Sequence, residues 1–210
     1  MRTLIPACLV LAVWLTGLAP AQAALSLNEI MADPASDWDG DGEYEYRRDE
    51  WVEVFNPGPG TVELGGYLLS DNDGLWTYGF DPGTTLAAGS ALVVFGSQSL
   101  AWQQAQGMPQ YGFRLHNDGD TVCLWQFVAG DTLLADTHTY NTHEADDDRS
   151  TGRNPDGTGE WQIFDALNPY DGTLPPLGNG LPPTPGLPNS GNPPVPARKG
   201  SWSGVKGLFR

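Results

Sequence analysis

The densest concentration of chemically competent side chains is the run Asp37-Trp38-Asp39-Gly40-Asp41-Gly42-Glu43. Carboxylates at alternate positions followed by glycine make the first half of an EF-hand-like loop. The alternating oxygens wrap a hard cation and glycine permits the sharp turn. The twelfth position, where such a loop carries a bidentate Glu, is Arg48, and Asp49 and Glu50 follow at once. One reading is a structural Ca²⁺ site drawing on Asp37, Asp39, Asp41, Asp49 and Glu50. The other is a solvated acidic turn, since Asp and Gly are ordinary turn residues.

Other chemistries find less support. His138 and His143 are five residues apart, a spacing that does not converge as i and i+4 on a helix or alternate positions on a strand do. They read as polar residues near a strand end. The run Asp146-Asp147-Asp148 reads as a solvated turn, with a second weak cation site as the alternative. Ser150 stands in no Gly-x-Ser-x-Gly frame, and Cys123 has apolar neighbours and no adjacent His, so it reads as a buried, inert thiol. Trp51, Trp125 and Trp161 fall in apolar runs and read as core. Trp38, Trp76, Trp102 and Trp202 are candidates for exposed aromatics that would stack on sugar rings.

The composition narrows the partners. Residues 1–23 have the form of a secretory signal peptide: Arg2, an apolar stretch from Leu4 to Leu18, and the small-x-small site Ala21-Gln22-Ala23. The stretch is short of the roughly 20 residues that a spanning helix needs. Cleavage after Ala23 places the chain in a periplasmic, cell-surface or secreted setting and leaves 9 basic residues against 26 acidic ones. Four of those bases lie in the last 13 residues, so the body carries 5 bases against all 26 acids, a formal −21. Such a body repels nucleic acid and anionic membranes. Only Cys123 survives cleavage, so no intramolecular disulfide forms, and stability must come from core burial.

The elements that position these groups are short. Apolar runs at 25–31, 51–56, 61–70, 91–96, 121–128 and 160–164 alternate with Gly, Pro, Asn and Asp, the pattern of an all-β sandwich or barrel. Asn117-Asp118-Gly119 suits a tight hairpin, and Asn154-Pro155-Asp156-Gly157 suits a β-turn. Gly65-Gly66 marks a bulge that returns Val62, Leu64, Tyr67 and Leu69 to one core side. The run 91–95 is apolar on both parities and reads as a central strand covered on both faces. One short helix is expected at 98–106. Residues 174–197, dominated by Pro and Gly, read as a disordered linker or tail. Residues 198–210 form a basic, aromatic segment in which Trp202, Val205, Lys206, Leu208, Phe209 and Arg210 are candidate docking residues.

Six segments in order, Leu27 to Ala32, Asp49 to Asn56, Val62 to Asp71, Leu115 to Val122, Ser150 to Trp161 and Thr184 to Asn189, resemble the lamin tail domain of bacterial secreted proteins. Tyr67 stands where that family usually carries Trp. The resemblance implies an immunoglobulin-like antiparallel β-sandwich over residues 24–173 and an accessory module rather than an enzyme. The leading expectation is a non-catalytic exported module that makes protein or surface contacts, with calcium as a structural cofactor. An extracellular polysaccharide-binding module is the alternative, and a metal-dependent hydrolase the more remote one.

Overall fold

A computed structural model describes residues 25–71 and 74–189. Residues 1–23, read above as a signal peptide, the end of the Pro/Gly segment at 190–197 and the basic segment at 198–210 lie outside the described residues. In chain order the elements are β1 (Ser26–Met31), α1 (Tyr46–Asp49), β2 (Trp51–Phe55), β3 (Val62–Glu63), β4 (Tyr67–Ser70), β5 (Trp76–Gly79), β6 (Thr85–Leu86) and β7 (Ala91–Phe95). They continue with α2 (Gly96–Ala105), β8 (Gly119–Val128), β9 (Asp131–Asn141), β10 (Ser150–Asn154) and β11 (Glu160–Phe164). A five-stranded sheet, β11-β10-β1-β2-β7, and a four-stranded sheet, β5-β4-β8-β9, are antiparallel throughout, with β3 and β6 as a small ribbon.

Alternation fills the space between the sheets. Leu27, Ile30, Val52 and Val54 from one sheet share a single buried core with Leu69, Val122, Leu124 and Tyr140 from the other. Each such Leu or Val, fully buried, contributes about 1.5–3 kcal/mol. The four residues around Gly65-Gly66 all reach this core, as expected. The device is a turn rather than a bulge. Tyr67 N donates to Leu64 O at 2.9 Å and Gly66 sits at φ 91°, so the chain leaves the ribbon at β3 and enters the second sheet at β4.

Four expectations change. First, β7 is the edge of its sheet, and of its residues only Val94 is fully buried, so apolar character on both parities did not mean a central strand. Second, the tight hairpin is at Ala129-Gly130, both at positive φ (54° and 96°), between β8 and β9. Asn117-Asp118-Gly119 instead turns the chain into β8, Gly119 N donating to His116 O. Third, the helix at 98–106 is present as α2, but a one-turn helix, α1, accompanies it.

The fourth change concerns the Pro/Gly segment. Residues 174–189 form no named strand or helix, yet they lie down on the first sheet as a strap. Asn179 N donates to Ile163 O at 2.9 Å and Ile163 N to Leu177 O at 3.1 Å, which covers the outer edge of β11. This hydrogen bonding offsets the ordering cost that composition alone leaves uncompensated. Further on, the strap crosses the outer face of the sheet, where one cross-strand row reads Gln162, Gly152, Glu29, Glu53, Val93. Thr184 N donates to Glu29 Oε1 at 3.0 Å, and Gly186 N to Glu53 Oε2 at 2.6 Å. Gly152 makes room: a Cβ there would meet Glu29 Cγ at 2.8 Å and Asn189 Nδ2 at 3.0 Å.

Glu29 and Glu53 are both fully buried. Burial, against the opposing hydrogen bonds, raises Glu29 to about 7 and Glu53 to about 8. The geometry agrees. Thr184 Oγ1 lies 2.8 Å from Glu29 Oε2 and 2.6 Å from Asn189 Oδ1, and its one proton cannot serve both acceptors. The chain of hydrogen bonds closes when Glu29 is protonated and donates to Thr184, which donates to Asn189.

The linkage has a definite sign. Below the ordinary carboxyl value of 4.5 both glutamates are protonated in folded and unfolded chains, and their burial contributes fully. As pH rises toward 7 and 8, the folded chain keeps protons that the unfolded one has lost, so stability falls. Each group contributes up to about 1.4 kcal/mol per pH unit in that window. Urea unfolding from pH 5 to 8 should therefore show a falling midpoint, and Glu29→Gln should make the fall shallower. An identical slope in wild type and Glu29→Gln refutes this assignment.

Candidate functional site

The acidic loop between β1 and β2 is organised around one buried side chain, Asp49, the last residue of α1. Its Oδ1 accepts from Trp38 N at 2.7 Å and Asp39 N at 3.0 Å, and its Oδ2 from Glu45 N at 2.9 Å. Glu45, extended, starts the helix by offering its carbonyl to Arg48 N and Asp49 N, and Glu50, at φ −53° and ψ 143°, ends it after one turn. Asp49 thus ties the start of the loop to the start of the helix. Asp37 closes the next turn, Oδ1 accepting from Gly40 N at 2.8 Å and Oδ2 from Gly42 N at 2.9 Å. Gly40 and Gly42, at φ 75° and 94°, allow that approach.

Of the five residues in the expected calcium set, the structure brings three together. Oxygens of Asp37, Asp39 and Asp49 all lie within 4.8 Å of one another. Asp41 is drawn away, its Oδ2 paired with Arg48 Nη2 at 2.6 Å, so Arg48 neutralises a carboxylate where a calcium loop would supply its last ligand. Glu50 does not join them. It is buried on the other side of α1, its carboxyl accepting from the backbone N–H groups of Arg114 and Leu115. Three clustered carboxylates offer only hard oxygens, the donor set of Ca²⁺ or Mg²⁺ rather than of zinc.

A second group, Asp33, Asp146 and Asp147, has the same spacing. Burial, and then the charge of Asp147, raises the Asp33 carboxyl above its ordinary range. Asp33 was missed in the sequence because it lies more than a hundred residues from its companions. The neighbouring Asp148 knits the two loops, accepting from Ala35 N, Ser36 Oγ and Trp38 Nε1.

The other candidates resolve into structural roles. His138 stacks on Trp161 at 3.5 Å, with its Nε2 3.4 Å from Glu144 Oε1, and His143 stacks on Tyr170 at 5.0 Å. Among the described residues no histidine joins a metal-compatible group. Cys123 is half-buried rather than buried, because its side of β8 faces away from the core, and its Sγ lies 3.4 Å from Thr137 Oγ1. Trp51 is core, as expected, while Trp125 and Trp161 are only half-buried. Trp38, Trp76 and Trp102 are half-buried too, packed against Trp51, Trp125 and Tyr78, so they present no common flat platform.

Two antiparallel sheets around one core, with acidic loops at one end, define an immunoglobulin-like β-sandwich. The chain matches the lamin tail domain family model over residues 19–142 and belongs to that family. The match ends before β10, β11 and the strap, which complete the first sheet. No curated protein matches the chain.

Replacing Asp49 strands three backbone donors. Asp49→Ala is expected to cost about 1–3 kcal/mol, measured by urea unfolding in chelator. Stability within a few tenths of wild type would mean that the loop does not depend on this carboxylate.

Proposed function

We propose that the domain is a non-catalytic binding module that works through protein contacts at a cell surface or in an extracytoplasmic space. The observation that carries this reading is the β8–β9 hairpin. Around its two-residue turn, Phe127, Val128, Leu133 and Leu134 are 42–55% exposed. The register puts Phe127 and Leu134 on one face of the hairpin and Val128 and Leu133 on the other. Exposed apolar side chains on both faces of a hairpin end favour a partner surface. The fate of the obvious nucleophiles supports a non-catalytic role: Ser150 donates its hydroxyl to buried Glu29, and Cys123 sits beside Thr137. The excess of acid in the body disfavours nucleic acid as the partner. No helix among the described residues is long and apolar enough to cross a membrane.

A double Leu133→Asp/Leu134→Asp variant tests the hairpin, because both residues face solvent and the core stays intact. Adsorption of the purified domain to cell-envelope fractions should fall by about tenfold, the equivalent of 1.4 kcal/mol, with an unchanged melting temperature. Equal adsorption by the variant would count against the hairpin as the contact surface.

The calcium reading belongs to the same proposal. Asp37, Asp39 and Asp49 supply three carboxylates, with backbone carbonyls and water completing a shell of six to eight oxygens. The ion's role is structural, pinning the loop to α1. A ligand held only by the native state raises its melting temperature. Millimolar calcium is expected to raise the midpoint, and Asp37→Asn/Asp39→Asn to abolish the rise. No shift in wild type at that concentration removes calcium from the proposal.

A further inference from the structure

The outer face of the four-stranded sheet, turned away from the core, differs in chemistry from the acidic body around it. Pairing sets one cross-strand row as Gly79, Leu68, Trp125 and Leu134. The next row reads Trp76, Ser70, Cys123 and Thr137. On the two long strands Thr121 stands opposite Thr139, and Phe127 opposite Thr132. None of these residues is Asp, Glu, Lys or Arg, although the body carries 26 acids and 5 bases. The neighbouring helix α2 has no charged residue either. Its Trp102 lies against Gly79, where a Cβ would meet Trp102 Cζ2 and Leu68 Cδ2 at 2.9 Å each.

What this face leaves uncovered is apolar surface. Trp125 Nε1 donates to Ser70 Oγ at 2.9 Å, and the hydroxyls of Thr121 and Thr139 pair at 2.8 Å. Thr137 Oγ1 donates to Val122 O at 3.2 Å. The polar side chains along the middle thus bond to groups of the sheet itself. Leu68, Trp76 and Trp125 are half-buried, and Phe127 and Leu134 are exposed. Trp76 and Trp125 stand at 85° to each other, edge to face, so they give a sugar chain no common plane.

Charge narrows the occupant further. Two copies, each formally −21 over the body, repel wherever their acidic surfaces meet. Contact through the outer face brings no like charges together, and sheets pack face to face with interdigitating side chains. The footprint of β4, β5, β8 and β9, at roughly 3.4 Å per residue and 4.8 Å per strand, is about 500 Å². Two copies would cover about 1,000 Å², under the roughly 1,200 Å² where stable interfaces begin and in the range of weak, reversible ones.

We propose that this face is a self-association surface on which a second copy packs, sheet on sheet, as a weak two-fold dimer. This goes beyond the reading of the hairpin as an envelope contact. Phe127 and Leu134 enter the dimer, while Val128 and Leu133, on the opposite face of the hairpin, stay available.

Sedimentation velocity of the exported chain, residues 24–210, at low and high salt tests it. A monomer–dimer equilibrium is expected by about 1 mM. It should tighten about threefold or more with added salt, which screens the repulsion between acidic bodies and spares apolar burial. Thr132→Glu/Thr139→Glu puts charges at two exposed points of the face and should weaken the dimer about tenfold or more. Leu133→Asp should leave it intact. Labelling of Cys123, the one cysteine in residues 24–210, should slow as concentration rises in wild type and not in the threonine variant. A monomer throughout, a dimer that loosens with salt, equal dimerisation by the threonine variant, or labelling independent of concentration overturns the assignment. Saturable binding of a neutral oligosaccharide, lost in the threonine variant, would give the face to a glycan and overturns it too. Adsorption to envelope fractions, measured at dilution where the chain is monomeric, stands or falls separately.

Discussion

Two glutamates placed side by side inside the protein set the terms for the first sheet. Glu29 and Glu53 are direct cross-strand partners, and neither reaches water. Two carboxylates in that position would repel each other and forgo hydration, a combination a folded chain tolerates only when protons or donors compensate. Here the donors come from far away in sequence: Asn28 Nδ2 at 2.6 Å from Glu53 Oε1, Ser150, and the backbone of Thr184 and Gly186. The Pro/Gly strap is consequently part of the sheet's outer layer. It joins β1 and β2 to residues beyond the family match, and Asn28, extra at the irregularity between Leu27 and Glu29, also meets the β10–β11 turn through Gly157 N.

The loop at one end of the sandwich follows the same logic on a smaller scale. Asp49 is a buried carboxylate that accepts from three backbone N–H groups, so aligned local donors meet it. The paired arginines that precede it divide their work. Arg48 turns to Asp41 and Arg47 to Glu45. The repeat of aspartates thus folds into a cluster of three, with the fourth bound to a guanidinium.

Much of the architecture was legible because alternation of apolar residues reports directly on which face of a strand is covered. That rule found β1, β2, β4, β8 and β11. It could not find β9, which is exposed along most of its length and carries Thr, Asp and His, because a mostly exposed edge needs no apolar pattern. It also misplaced β7, whose Leu92 and Val93 are half-covered, Val93 lying near Gly186 of the strap rather than inside a layer of strands. The site was legible in type and only partly in membership. Asp37, Asp39 and Asp49 converge, yet whether Asp41 or Glu50 joins them depends on which way a one-turn helix points its neighbours, and no spacing rule encodes that. Asp33 joins Asp146 and Asp147 through tertiary folding alone.

That helix sits between two very different environments. Asp49, at its last position, faces a knot of carboxylates; Glu50, immediately after, faces tyrosines and guanidinium groups. Four residues are too few to bend independently at their ends, and α1 carries no packed apolar face of its own. Were a ligand on one side to displace α1, so short a segment would carry the shift to the other side as a lever does. Thermodynamic reciprocity then requires that a species favouring one tilt of this lever change the affinity on the opposite side by the same factor in both directions. The sandwich supplies the fulcrum.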